Sequence, residues 1–315
     1  MTITQRTIQT NGLNMRIAEA GDGPLVLLLH GFPESWYSYR HQIEALSAAG
    51  YHVVAPDQRG YGGTDSPEEV EKYTLLHLVG DMVGLLAGLG EDKCVVVGHD
   101  WGSPVAAHFG LLRPDLVRGV VLLSVPYLPR GDVDALTALT EILGPNNYQV
   151  LFQEVGLAEA VMQADLRRSL LSSLYGLSGN APLVSDPGLS EFPSEIPEGP
   201  LPEWLTNEDV DYLVSQFERS GLRGPLNWYR NSKANWELMA AWHKASLLPP
   251  SLFICGDRDI VYRWPGFSGI VKVLRDISMP NLTKAIVLEG CGHWTQQERS
   301  NEVNELLIEF LAGLP

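Results

Sequence analysis

Four short runs dense in Val and Leu punctuate the first 125 residues, at 25–29, 52–56, 94–97 and 117–125. Each is apolar almost throughout instead of alternating, the pattern of parallel strands covered on both faces. Between them lie segments of helix length, 34–49 closed by Gly50 and 75–89 closed by Gly90. Strand and helix taking turns in this way predict a parallel sheet with right-handed crossovers. The rhythm stops after Val125, and two strand-like runs return at 251–255 and 284–288. Near the C-terminus Val303, Leu306, Leu307, Phe310 and Leu311 share one helical face, which predicts a helix packed on the sheet.

The stretch between is mostly helical in pattern. Thr206 reads as an N-cap with Asp209 three residues on, followed by the apolar stripe Val210, Leu213, Val214, Phe217 and a stop at Gly221. Six prolines between Pro182 and Pro202 predict a long irregular loop. The expected organisation is a split α/β core, residues 1–128 and 246–315, with an inserted helical cap at 129–245.

Composition narrows the class. The 315 residues carry 22 Lys and Arg against 38 Asp and Glu, a formal charge of −16, which disfavours nucleic acid and anionic membranes as partners. Hydrophobic residues at 45% against 19% charged exclude a disordered chain. Three cysteines, Cys94, Cys255 and Cys291, are too few and odd in number for a disulfide framework and suit a reducing compartment. The N-terminus has no apolar signal core, and no apolar run reaches membrane-spanning length. A soluble, cytoplasmic protein is expected.

The chemistry concentrates in Gly98-His99-Asp100-Trp101-Gly102, placed between a strand and a helical pattern. Small residues flank the central one, as a nucleophile elbow requires, and the occupant is Asp100 instead of the usual serine. A carboxylate there can attack carbon and form an alkyl ester. An acid and a histidine should follow in that order. Asp257 and Asp259 come just after the 251–255 run, and His293 comes just after the 284–288 run, at strand ends where open α/β sheets bind ligands. His293 would activate water, with Asp259 orienting its ring and Asp257 the alternative acid. The loop His30-Gly31-Phe32-Pro33 should stand beside the elbow, making the Phe32 and Trp101 N–H groups the oxyanion pair. The eight histidines show no metal-ligand spacing, and neither a metal nor an organic cofactor is expected.

Several segments together resemble the soluble-type epoxide hydrolases of the α/β-hydrolase fold. They are His30-Gly-Phe-Pro-Glu-Ser-Trp36, Asp57-Gln-Arg-Gly-Tyr-Gly62, the elbow, Phe152-Gln-Glu154, Gly224-Pro-Leu-Asn-Trp-Tyr-Arg-Asn231 and Cys291-Gly-His-Trp-Thr-Gln296. The resemblance covers nearly the whole chain. It implies that the cap tyrosines Tyr148 and Tyr229 donate their hydroxyls to the epoxide oxygen, which leaves as an alkoxide and needs a proton. Pro225 at a helix start would put Tyr229 on the second turn. The same resemblance implies a substrate site built from His30 and Pro33, from Trp101 and Gln149, and from Ile260, Val261 and Trp294. The expected partners are a small-molecule epoxide and water, and a homodimer is compatible. Asp57-Gln-Arg59 reads as a structural turn and Cys291 as a buried, inert thiol. A haloalkane or haloacid dehalogenase shares Asp100, Trp101, Asp259 and His293 and is the nearest alternative. A non-catalytic small-molecule receptor on the same fold is the alternative of another class.

Overall fold

The computed structural model describes residues 2–183 and 196–315. The middle of the proline-rich stretch expected to be an irregular loop, 184–195, lies outside the described residues. Among the described residues eight strands form one sheet in the order β1-β2-β4-β3-β5-β6-β7-β8. They are β1 (Thr4–Thr10), β2 (Leu13–Ala20), β3 (Leu25–Leu29), β4 (His52–Pro56), β5 (Cys94–His99), β6 (Val117–Leu123), β7 (Ser251–Gly256) and β8 (Leu282–Leu288). All pairings from β4 through β8 are parallel, while β2 runs antiparallel to both β1 and β4.

The six apolar runs become β3 to β8, and the pleat explains why they read as continuous. Leu25, Leu27, Leu29, Val96, Leu122 and Phe253 point into one buried cluster, and Val26, Leu28, Val97, Val121, Leu123 and Ile254 into the other. Helices α2 (Leu75–Leu89) and α3 (Gly102–Leu112) cover the first face, and α1 (Arg40–Ala48) and α14 (Ser300–Ala312) the second. Each fully buried Val or Leu adds about 1.5–3 kcal/mol.

Two expectations change. The N-terminal hairpin was not evident in the sequence, because β1 buries only Ile8 and Thr10 and so carries little apolar signal. Its Asn11-Gly12 turn has φ of +45° and +78°, the left-handed pair that a two-residue hairpin loop needs. The segment 34–49 is not one helix. Ser35 caps a 3-10 turn at Trp36–Tyr39 before α1 begins, which leaves Glu34 in the loop and free to face the site.

Between β6 and β7 run α4 (Ala135–Leu143), α5 (Tyr148–Leu151), α6 (Leu157–Ala164), α7 (Leu166–Gly176), α8 (Asn207–Ser220), α9 (Arg223–Arg230) and α10 (Ser232–Leu238). Thr206 and Asp209 form the capping box that starts α8. After β7 come α11 (Ile260–Arg263) and α12 (Phe267–Ile277), and after β8 the short α13 (Thr295–Glu298). The apolar cluster of the first face continues without a break through Phe152, Leu170, Phe217, Trp228 and Tyr229 of the inserted helices.

Candidate active site

The strand ends converge on Asp100. It follows β5 at φ +49°, a left-handed conformation that costs about 1–2 kcal/mol in most residues and least in Asn and Asp. The bend is held from below. A Cβ on Gly102 would run into the Leu29 carbonyl, so only glycine lets α3 leave the strand here. Ser103 Oγ lies 2.7 Å from Gly98 O and 2.9 Å from Leu123 O, so its proton is committed to the turn.

Asp100 has two differently employed oxygens. Phe32 N–H donates to Oδ1 at 2.9 Å, while Oδ2 stands 3.4 Å from His293 Nε2. Burial pushes this carboxyl up, but hydrogen bonding and charge from His293, with help from His99 and Phe32 N–H, bring it below the ordinary value of 3.8. On the far side of the ring, His293 Nδ1 lies 3.0 Å from Asp259 Oδ1 and 2.9 Å from Ser124 Oγ. Burial alone would lower the His293 pKa. The Asp259 charge and hydrogen bonds to both carboxylates raise it well above 6.5.

Asp259, not Asp257, meets the histidine. Asp259 is fully buried and its Oδ1 also accepts from Val261 N–H at 2.9 Å, as the N-cap of α11. Asp257 is exposed and takes Gly290 N–H at 2.8 Å.

Opposite Asp100 stand the two inserted-helix tyrosines, their ring centroids 6.2 Å apart. Tyr148 opens α5, and its hydroxyl accepts from Gln149 Nε2 at 3.1 Å. Tyr229 lies on the second turn of α9, although that helix starts at Arg223, two residues before Pro225. The Trp101 ring packs edge-on against that of Tyr229, their centroids 5.1 Å apart. Burial first, then the Asp100 charge, pushes both phenols above 10, so both keep their protons near neutral pH.

These groups line one narrow cleft, with Phe32, Pro33, Phe152, Ser173, Leu177, Ile260 and Val261 completing the wall. The remaining expected contact residues stand behind it. His30 is fully buried: its Nε2 accepts from Gln58 N–H at 3.1 Å and its Nδ1 bonds Gly31 O at 2.9 Å. Trp294 is fully buried, with its indole N–H on Leu174 O at 2.7 Å. Gln149 donates to the Tyr148 hydroxyl and the Trp101 ring packs against that of Tyr229, both from outside the lining.

The sequence reading did not single out Ser124, Ser173 or Leu177, nor the pairing of Glu34 with His99. Ser124 follows β6 at φ +72°, and the rule that ligands gather at parallel strand ends would have found it. Glu34 Oε2 lies 2.7 Å from His99 Nδ1 and accepts Gly31 N–H at 2.7 Å. His99 Nε2 in turn reaches the His293 carbonyl at 2.8 Å, which links the loop of Phe32 to the loop of His293. The Asp57–Arg59 segment is structural: Asp57 takes the Trp36 and Gly63 N–H groups, and Arg59 forms a buried two-pronged bond with Asp81. Cys291 is buried, and burial pushes its thiol far up. Among the described residues, no group of three or more His, Cys, Asp or Glu could hold a metal ion, and no helix is long and apolar enough to cross a membrane.

The α/β-hydrolase fold family profile matches residues 24–300. Epoxide hydrolase A of Mycobacterium tuberculosis is 43% identical over 99% of this chain and 98% of its own length. Epoxide hydrolase 1 of Siraitia grosvenorii is 41% identical over 98% of both chains. Among solved structures, an epoxide hydrolase from an endophytic Streptomyces superposes with a TM-score of 0.91 at 46% identity, covering 99% of this chain and 96% of the other. One from Vigna radiata gives 0.89 at 41% identity over 98% of both. The chain belongs to the α/β-hydrolase fold family and, within it, to the epoxide hydrolases.

Proposed function

We propose that this protein is an epoxide hydrolase that converts epoxides to vicinal diols in two covalent steps. The observation that carries the reading is a carboxylate and two protonated phenols facing one apolar cleft, with a histidine behind the carboxylate. Asp100 Oδ2 attacks a ring carbon, the carbon–oxygen bond breaks, and the departing oxygen takes a proton from Tyr148 or Tyr229. An ester is left on Asp100. Its carbonyl is Oδ1, which already accepts Phe32 N–H, so the donor for the next oxyanion is in place before the reaction starts. His293 then takes a proton from water, and the oxygen of that water attacks the ester carbon. Phe32 and Trp101 N–H steady the tetrahedral oxyanion. Its collapse, with the second proton of the water passing to the departing oxygen, frees the diol and regenerates the Asp100 carboxylate, and the His293 imidazolium returns a proton to the tyrosinate.

Alkylation also prepares the base. The free Asp100 charge favours the His293 imidazolium, which cannot accept a proton. Once esterified, Asp100 is neutral, and that support is withdrawn. Asp259 holds the ring throughout.

Residues 1–128 and 246–315 act in this reading as the catalytic core, and 129–245 as a cap that supplies the phenols. Three buried cysteines among the described residues accord with a cytoplasmic enzyme. Halide displacement is less well served, because expelling a halide needs no proton and leaves the two phenols facing the cleft without a role. The test is to offer the enzyme styrene oxide and 1-chlorobutane in parallel. Rapid diol formation with no chloride release supports the reading, and chloride release without diol overturns it.

A further inference from the structure

Glu298 is a buried carboxylate outside the proposed reaction path. It closes α13, just past the histidine loop. Its Oε2 accepts Gly292 N–H at 3.0 Å and Gly179 N–H at 2.7 Å, and its Oε1 accepts Trp294 N–H at 3.0 Å. Gly292 and Trp294 are the two neighbours of His293, while Gly179 lies three residues beyond α7.

More bonds join the same two segments. His293 N–H donates to Leu177 O at 2.9 Å, and the Trp294 indole N–H reaches Leu174 O. The backbones touch so closely that a Cβ on Gly292 would collide with Gly179 N, and one on Gly179 with Gly290 O. Burying a carboxylate costs several kcal/mol unless donors replace its water. Here three backbone N–H groups converge, and a two-oxygen acceptor with no proton of its own satisfies all of them.

We infer that Glu298 is a positioning residue for His293, clipping the histidine loop to the segment after α7 so that the base is held against a fixed anchor. This rests on the two-step reading above. It predicts an effect confined to half of the reaction. Ester formation uses Asp100 and the phenols, none of which Glu298 touches, whereas ester hydrolysis needs His293 within a few tenths of an ångström of its place.

The test is rapid-quench single turnover of styrene oxide by wild type, Glu298→Gln and Gly179→Ala, following the covalent adduct on Asp100 by mass spectrometry. A glutamine has one acceptor oxygen, so its amide must face at least one backbone N–H donor. The added methyl at Gly179 wedges the two segments apart, meeting Gly290 O and Glu298 Oε2, while the glutamate itself stays in the chain. Both variants should form the adduct within about twofold of the wild-type rate and hydrolyse it about 10- to 100-fold more slowly. Thermal unfolding of each variant identifies a general loss of fold, which would depress both steps together. If wild type forms the adduct and Glu298→Gln leaves both steps unchanged or slows them equally, the positioning role is overturned while the two-step reading stands. Rapid turnover by wild type with no adduct on Asp100 would overturn that reading and this inference with it.

Discussion

Asp100 Oδ2 and His293 Nε2 lie 3.4 Å apart, while the other Asp100 oxygen already holds the Phe32 N–H. One oxygen of the carboxylate thus faces the histidine while the other holds a backbone N–H of the 30–33 loop. In the proposed reaction, esterification of Asp100 removes the negative charge that helps raise the His293 pKa. The two half-reactions should therefore titrate differently. Ester formation needs ionised Asp100, whose pKa is below 3.8, and should stay level from roughly pH 8 down to 5. Ester hydrolysis needs neutral His293 and should slow as pH falls, so that the adduct accumulates in acid. Quenched single turnovers across pH measure both rates. Ester formation that instead tracked a histidine titration would contradict the assignment.

Tyr148 and Tyr229 face the cleft from different helices and stay protonated near neutral pH. Each Tyr→Phe variant should slow ester formation about 10²-fold, and the double variant should abolish it. Hydrolysis of ester already formed by a single variant should be nearly unaffected. A double variant that opened epoxides at the wild-type rate would remove the phenols from the mechanism.

The two neighbouring aspartates make an internal control. Asp259→Asn should slow ester hydrolysis about 10³-fold or more, because the ring loses its charged partner and its preferred tautomer. Asp257→Asn, at an exposed carboxylate bound to Gly290 N–H, should change turnover by less than about threefold. The reverse ranking would reassign the acid.

Stability has its own test at the Arg59–Asp81 pair, which is almost wholly buried and doubly bonded at 2.8 and 2.6 Å. Arg59 O also receives the Trp228 indole N–H, which ties this pair to the helix bearing Tyr229. Asp81→Asn leaves a buried guanidinium without its counter-charge and should cost about 3 kcal/mol in urea unfolding. A loss under about 1 kcal/mol would mean that the pair is not needed to hold the turn.

Much of this was legible in the chain itself. The inner parallel strands β3 to β7 announce themselves because both faces are buried, and the elbow because Gly98 and Gly102 bracket a polar residue at a strand end. β1 stayed hidden because an edge strand with one covered face carries little apolar signal. His30 and Trp294 adjoin the chemistry in sequence but turn into the supporting wall, a matter of side-chain direction that spacing does not encode. Ser124, Glu34 and Glu298 each take part in a hydrogen bond that joins segments 169, 65 and 119 residues apart in the chain. Contacts of that range belong to the packing and have no local pattern to read.

The central claim is that a carbon–oxygen ester forms on Asp100, and isotope placement tests it most directly. One turnover of excess enzyme on styrene oxide in water enriched in ¹⁸O should leave the heavy oxygen in the Asp100 carboxylate and give unlabelled diol. Heavy oxygen in the first-turnover diol, with none in the peptide carrying Asp100, would contradict the account.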